Sequence, residues 1–226
     1  MSTTYTVRIW DLPTRLFHWA LLVCIVGLLI TGNVGGMWME WHFRFGYCVM
    51  TLLLFRTVWG LVGGKWSRFA SFIYSPKSLF DYLSGKGRPE QTAGHSPLGA
   101  LSVFGLLAFL ALQVGTGLIS DDEITNAGPL TRFVKNATVS LATWWHKEVG
   151  NKVIVAMIVL HIAAILIYLF KKKQNLILPM IQGDKQMVQP VESSKDTMGS
   201  RLAAIAILAI CAGFVYWIQR LGAAAF

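Results

Sequence analysis

Five histidines are the side chains of this sequence with the clearest potential for chemistry: His18, His42, His95, His146 and His161. His161 lies within the apolar run VIVAMIVLHIAAILI, where a polar side chain is costly and is therefore a candidate functional group. His146 precedes it by fifteen residues, which in an α-helix is roughly 22 Å of rise and about 60° of net rotation. Both imidazoles therefore face one side of the helix, and the spacing predicts two sites at different depths.

The elements that must position these histidines are those of a membrane protein. The 226 residues are 54% hydrophobic and 14% charged, with a mean hydropathy of +0.54, whereas soluble domains carry about 25% charged residues. Apolar runs of about 18 residues or more predict membrane spans. The predicted fold is an all-α integral membrane protein, with a four-helix transmembrane bundle and a fifth C-terminal transmembrane helix. The five predicted spans are 16–31, 43–62, 98–119, 149–170 and 202–218. Asp11 is the predicted N-cap of the first helix, which therefore begins before its apolar run, and the fourth helix is predicted to begin upstream of His146.

Basic residues give the expected orientation. The net charge of +9 comes mainly from the N-terminal tail and from the loops at 65–95 and 171–201. In so apolar a chain this distribution follows the positive-inside rule, so we expect a membrane lipid environment and no nucleic-acid partner. The N-terminus is predicted to be cytoplasmic and the C-terminus periplasmic, in a bacterial inner membrane. No A-x-A-like cleavage site follows the first run, which is interpreted as a retained span.

Two segments between the spans have a distinct character. SPKSLFDYL predicts a short interfacial helix with Ser75 as its N-cap and Pro76 at its first position. QGDKQMVQPVESSKDTMGS is polar and predicts a mobile connection, and no alternating pattern predicts a strand. The expected division is a core at 1–185, a linker at 186–200 and a fifth helix with a short tail at 201–226.

The predicted depths pair His42 with His146 near the outer face and His18 with His161 near the inner face. Neutral nitrogen ligands on two helices, facing an apolar slot, fit a bis-histidine b-type haem best. None of the three cysteines lies in a C-x-x-C-H motif, so covalent haem attachment is not predicted. The pattern therefore indicates two non-covalent haems.

Four further residues are candidate haem contacts. Gly46 and Gly150 each lie four residues after a predicted ligand and could admit the ring, although close helix packing explains them equally well. Arg15 and Arg56 could pair with haem propionates, although either could instead extend to the membrane surface. For His95, in TAGHSPLGA, the residues alone favour helix capping or surface exposure.

The sequence resembles the bacterial cytochrome b561 and nickel–iron hydrogenase cytochrome b superfamily. The matching stretches, within 7–185, are VRIWDLPTRLFHWALL, HFRFGYCVMTLLLFRTVWGLVGGKWSRFASF, GHSPLGALSV, TWWHKEVGNKVIVAMIVLHIAAI and QNLILPMIQGDK. The resemblance implies a four-helix core with two b haems, for which His18, His42, His146 and His161 match the axial ligands. His95 matches a histidine common in one branch, where it would line a quinone site or replace an inner ligand. Members pass electrons between quinone and a redox partner, often a c-type cytochrome or a dehydrogenase or hydrogenase subunit.

The expected function is electron transfer across the inner membrane between quinone or quinol and such a partner. Because both axial positions are filled, the iron offers no open site, and any enzymatic activity would be quinol oxidation or quinone reduction. Candidate acid–base groups for that reaction are Glu40, Lys147 and Glu148 outside and His95 inside. Two alternatives stay open: a haem-free anchor for a partner enzyme, and a divalent-metal transporter that uses the histidines directly.

Overall fold

The computed structural model describes residues 4–87 and 89–223. Its helices are α1 (Leu12–Val34), α2 (Met39–Val62), α3 (Pro76–Leu83), α4 (Pro97–Leu118), α5 (Asn136–Trp144), α6 (Asn151–Phe170), α7 (Ile177–Gln182) and α8 (Met198–Ala223). A π-helical stretch, Trp145–Gly150, joins α5 to α6 without a break. The described residues also form two short strands, β1 (Tyr5–Arg8) and β2 (Asp184–Met187), and several short 3-10 helices between the longer elements.

Five helical segments of the described chain are long and apolar enough to cross a membrane. They are Leu12–Val34, Gly36–Val62, Pro97–Leu118, Asn136–Phe170 and Met198–Gly222. The predicted all-α, five-span membrane fold is thereby confirmed. The fourth helical segment begins upstream of His146, as predicted, because α5 and the π-helical stretch extend it at its N-terminal end.

The chain forms two compact units, and each receives residues from all five spans. The first unit draws on Met1–His18, Arg56–Gly105 and Leu160–Ile207, and the second on Trp19–Phe55, Leu106–Val159 and Leu208–Phe226. The core of the second unit is built from buried side chains of α2, α4 and α6, namely Val49, Leu53, Leu110 and Ile154.

In the first unit, the start of α1 is fixed by Asp11, which is fully buried. Its Oδ1 accepts a hydrogen bond from Thr14 N at 2.9 Å, which confirms the predicted N-cap. Its Oδ2 accepts from Gly64 N at 3.0 Å and from Ser67 Oγ at 2.8 Å, while Trp59 Nε1 donates to both oxygens. These donors hold the chain after α2 against the beginning of α1. The predicted cap of α3 is also found, with Ser78 N donating to Ser75 Oγ at 3.2 Å.

The strand pair was not predicted. β1 and β2 run antiparallel, with Tyr5 opposite Met187 and Arg8 opposite Asp184. Each strand has only four residues, which are too few for an alternating pattern to stand out. Its partner also lies about 180 positions away in the sequence, so no local signal joins the two strands. The pair ties the N-terminal tail to the chain that follows α7.

The segment expected to be a mobile linker is instead attached to the first unit. Ser194 is buried, with its Oγ donating to Ile9 O and its N donating to Arg8 O, both at 2.7 Å. Asp196 forms ion pairs with Arg8 at 2.8 Å and with Arg201 at 2.9 Å. The polar side chains of this segment thus find partners in the N-terminal tail that the linear sequence does not reveal.

Candidate functional site

Two imidazoles face each other in the second unit. His42, on α2, and His146, in the π-helical stretch, have ring centres 6.1 Å apart and ring planes at 87°. His42 Nδ1 lies 3.2 Å from Leu28 O, and His146 Nδ1 lies 2.9 Å from Gln113 O. Because a carbonyl oxygen only accepts, Nδ1 must carry the proton in each ring, which leaves Nε2 able to accept or to bind a metal. A metal-binding histidine usually has its second nitrogen held in this way.

The separation of these rings fits one metal ion shared between them. Imidazole nitrogens bind first-row metals at about 2.0–2.1 Å, and the ring centre lies roughly 1.1 Å beyond the nitrogen, so two imidazoles that held one ion between them would have centres roughly 6.3 Å apart. The observed 6.1 Å agrees with that value. The donor set, two neutral nitrogens in an apolar helical bundle, is that of a bis-histidine haem site.

A cavity of about 930 Å³ lies at this histidine pair, within the second unit. Both rings and Gly46 line it, and a Cβ added at Gly46 would have no atom within 4 Å. The volume is at the upper end of the range of roughly 300–1,000 Å³ that small-molecule and cofactor sites occupy. Gly150 has a different neighbour, because a Cβ there would collide with Gln113 Oε1. The structure thus places Gly46 in the cavity wall and gives Gly150 a packing contact.

The sequence interpretation missed two Thr-Gly pairs that hold the rings. A Cβ at Gly32 would lie 3.0 Å from His42 Cε1, and a Cβ at Gly117 would lie 2.8 Å from His146 Cε1. The preceding residues, Thr31 and Thr116, each place Oγ1 3.4 Å from Nδ1 of the same histidine. The repetition of Thr-Gly near the ends of the first and third predicted spans was the signal that could have identified them.

In the first unit, the structure brings the other three histidines together. His18 and His161 lie close enough to interact electrostatically, and both also act on His95. Arg56 belongs to the same group, because its charge also acts on His95. The predicted association of His18 with His161 is thus matched by proximity, and His95 is a third imidazole beside them.

His95 does not cap α4, and its side chain is half-buried rather than exposed, so the interpretation favoured from the sequence is wrong. Its ring lies between aromatic neighbours, with centroids 4.7 Å from Trp10 and 4.4 Å from Phe72. Ser96 caps α4 instead, since Gly99 N donates to Ser96 Oγ at 3.3 Å. Burial, followed by the charge of Arg56 and the neighbouring imidazoles, lowers the pKa of His95 to about 3, so this side chain is neutral at physiological pH. Its Nδ1 is buried and has no hydrogen-bond partner among the described residues.

Arg56 does not extend to the membrane surface. It is only 3% exposed, its guanidinium carbon lies 4.6 Å from the centre of the Phe69 ring, and it is attracted by the Asp11 carboxylate. Its Nη1 is buried without a hydrogen-bond partner in the described part of the chain. A buried guanidinium with one unpaired arm is suited to an anionic group such as a haem propionate. Arg15 donates from Nη1 to Ile181 O at 2.5 Å, and its Nε is likewise buried and unpaired within residues 4–87 and 89–223.

The candidate outer acid–base groups lie in solvated surroundings. Glu40 pairs with Arg44, and Glu148 pairs with Lys152 at 3.1 Å, both as exposed pairs one helical turn apart. Lys147 contributes to the cavity wall. Among the described residues, no three His, Cys, Asp or Glu side chains gather in the way that direct metal binding by the protein requires.

Comparison with known proteins gives one family and several distant relatives. The family model described as prokaryotic cytochrome b561 matches residues 9–183. A probable Ni/Fe-hydrogenase B-type cytochrome subunit of Bradyrhizobium diazoefficiens is 24% identical over 215 residues, covering 80% of this chain and 86% of the relative. A probable Ni/Fe-hydrogenase 1 B-type cytochrome subunit of Escherichia coli K12 is 26% identical over 135 residues, covering 48% of this chain and 57% of the relative. No solved structure matches the chain.

Proposed function

This chain belongs to the prokaryotic cytochrome b561 family, and on that basis we propose that it holds two haems b and passes electrons between quinone or quinol and a redox partner. Membership makes it a membrane electron carrier of the hydrogenase cytochrome b type. We propose in addition that it binds two haems, that it reacts with quinone, and that it has a redox partner protein.

The observation that carries the proposal is the His42–His146 pair. Both rings are fixed by carbonyl groups of other helices, in the tautomer that offers Nε2, and they lie 6.1 Å apart at a cavity. A haem bound there would supply a one-electron ferric–ferrous couple. The carbonyl groups of Leu28 and Gln113 hold both imidazoles in place, so little rearrangement of these side chains would be needed when the charge changes.

The first unit supports a second haem with a different environment. His18 and His161 supply two imidazoles, and Arg56 supplies a buried positive charge beside them. We assign His18 and His161 as the axial pair and Arg56 as a propionate partner, with Arg15 as a further candidate. His95 remains the alternative ligand or a quinone-site residue.

The partner is proposed from the names of the relatives, which are hydrogenase cytochrome subunits. We propose that a hydrogenase or related dehydrogenase, or a c-type cytochrome, exchanges electrons with this chain. The basic loops favour a bacterial inner-membrane location with a cytoplasmic N-terminus.

The visible spectrum of the purified full-length protein tests this proposal. We expect sharp reduced α-bands of b-type haem, and loss of the same component in His42→Ala and His146→Ala. The matched control is His95→Ala, which should keep that component because His95 lies in the first unit. A wild-type protein that folds without haem would favour the anchor alternative and refute the proposal. Retention of both components in His42→Ala would refute the ligand assignment.

A further inference from the structure

A chain of hydroxyl groups in the first unit has no role in the function proposed above. Tyr82, on α3, and Tyr168, on α6, have hydroxyl oxygens 2.6 Å apart. Tyr168 Oη lies 3.1 Å from Ser96 Oγ, and Lys172 Nζ donates to Tyr82 Oη at 3.4 Å. We call the three hydroxyl residues, together with Lys172 at their end, the hydroxyl chain.

The two ends of the hydroxyl chain lie in different surroundings. Lys172 is exposed and follows the fourth membrane span, which ends at Phe170, so this end meets water. Ser96 is adjacent to His95, whose buried Nδ1 has no hydrogen-bond partner among the described residues and which lies beside Arg56 and the histidine pair. The chain therefore runs from an aqueous face toward the buried polar group of the first unit.

The chemistry of the members suits proton transfer. A hydroxyl both donates and accepts, so Tyr82, Tyr168 and Ser96 can each take a proton from one neighbour while releasing their own to the next. Lys172, an ammonium group that only donates, can pass a proton to Tyr82 and then regain one from water. Lys172 also lies 4.4 Å from the ring centre of Tyr168 and 5.2 Å from that of Tyr82. Burial by itself would raise the pKa of Tyr82, but hydrogen bonds from Tyr168 and Ser96 and the charge of Lys172 lower it overall. Tyr74, whose hydroxyl donates to His95 O at 2.9 Å, is a further titratable neighbour of this group.

We propose that Lys172, Tyr82, Tyr168 and Ser96 conduct protons between the aqueous face at the end of α6 and a quinone-reactive site beside His95. The proposal rests on the function proposed above. Oxidation of one quinol yields one quinone, two electrons and two protons. The electrons enter the redox centres of the cytochrome one at a time, and the protons leave along the hydroxyl chain. Quinone reduction uses the same path in the opposite direction.

A purely structural role would be to tether α3 to α6. Phenylalanine substitutions separate the two roles, because they keep the ring packing and remove the hydroxyl. We expect Tyr168→Phe and Tyr82→Phe, in the full-length haem-loaded protein, to slow haem reduction by duroquinol roughly 100-fold, the lower end of what positioned proton transfer contributes. Haem content, spectrum and the rate of reduction by dithionite, which needs no proton path, should stay as in the wild type.

Three additions make the experiment decisive. Tyr216→Phe, at an exposed tyrosine of α8, is the matched control and should leave the duroquinol rate unchanged. Lys172→Gln tests the entrance at an exposed position where folding is not at risk, and should slow the duroquinol reaction while sparing the dithionite reaction. Formic acid, a small proton carrier, should restore part of the duroquinol rate in the phenylalanine variants, because it bypasses a missing hydroxyl but cannot repair a missing tether.

The opposite outcomes overturn the proposal. Wild-type duroquinol rates in both phenylalanine variants would do so, as would equal losses of the duroquinol and dithionite rates without rescue by formic acid. A haem-loaded wild-type protein that reacts with no quinol would remove the reaction that the path serves, while leaving the haem assignment intact. A wild type without haem would remove the proposed function itself.

Discussion

The buried charge of Arg56 should set the midpoint potential of the haem in the first unit. The ferrous haem is one unit more negative than the ferric form, so a nearby cation favours reduction and raises the potential. Arg56→Gln keeps much of the side-chain bulk and some hydrogen-bonding capacity but removes the charge. We therefore expect this substitution to lower the midpoint potential of that haem alone.

The size of the shift follows from the burial of the guanidinium. Arg56 is 3% exposed, so water screens it weakly. For a haem held by His18 and His161, a unit charge at a separation of about 10 Å and an effective dielectric constant of about 20 would contribute roughly 1.7 kcal/mol. Since about 59 mV corresponds to a tenfold change for one electron, the expected decrease is roughly 70 mV.

A potentiometric titration followed in the α-band measures this shift. The matched control is Arg44→Gln, because Arg44 lies on the same helix but has a side chain 55% exposed and paired with Glu40. It should move neither potential, since solvent screens an exposed charge. Arg56→Lys, which retains the charge, should preserve most of the wild-type value. An unchanged or raised potential in Arg56→Gln, at full haem content, would refute the reasoning.

The haem complement and its response to substitution provide three further tests. Acid–acetone extraction should release two haems per chain, measured against protein mass, and one haem in well-loaded protein would contradict the two-site assignment. Gly117→Ala should displace the His146 ring and reduce occupancy of that haem, while Gly115→Ala, which points into open space, should not; equal occupancy in the two variants would be contrary to this geometry. His18→Ala should deplete the first-unit haem in difference spectra while His95→Ala retains it, and the reverse pattern would make His95 the ligand.

The sequence predicted most of the fold because its main signals are local. Five apolar runs identified the five spans, and the cap at Asp11 identified where α1 begins. The helical spacing of His146 and His161 also predicted two sites, and the structure places these residues in different units. Such predictions succeed because hydrophobic runs, caps and helical periodicity each depend on neighbouring residues alone.

The features that were missed depend on residues distant in sequence. Arg8 pairs with Asp184 and Asp196, which lie beyond all four spans of the core, and no local pattern marks either partner. The sequence predicted a cap or an exposed residue at His95 because its own segment is polar and rich in turn-forming residues. The ring is instead covered in part by Trp10 and Phe72, two rings supplied by other parts of the chain.

The second unit also shows why the proposed ligands are easier to predict than the groups that orient them. His42 and His146 are conspicuous because histidine is rare in apolar runs. The groups that fix their rings are main-chain carbonyls of Leu28 and Gln113, and a carbonyl is present at every position of every helix. What distinguishes α1 and α4 is that Gly32 and Gly117 leave room for an imidazole to approach. The proposed ligands can therefore be recognised in the sequence by their histidine side chains. The helices that orient them, α1 and α4, can be recognised only by a glycine, which has no side chain.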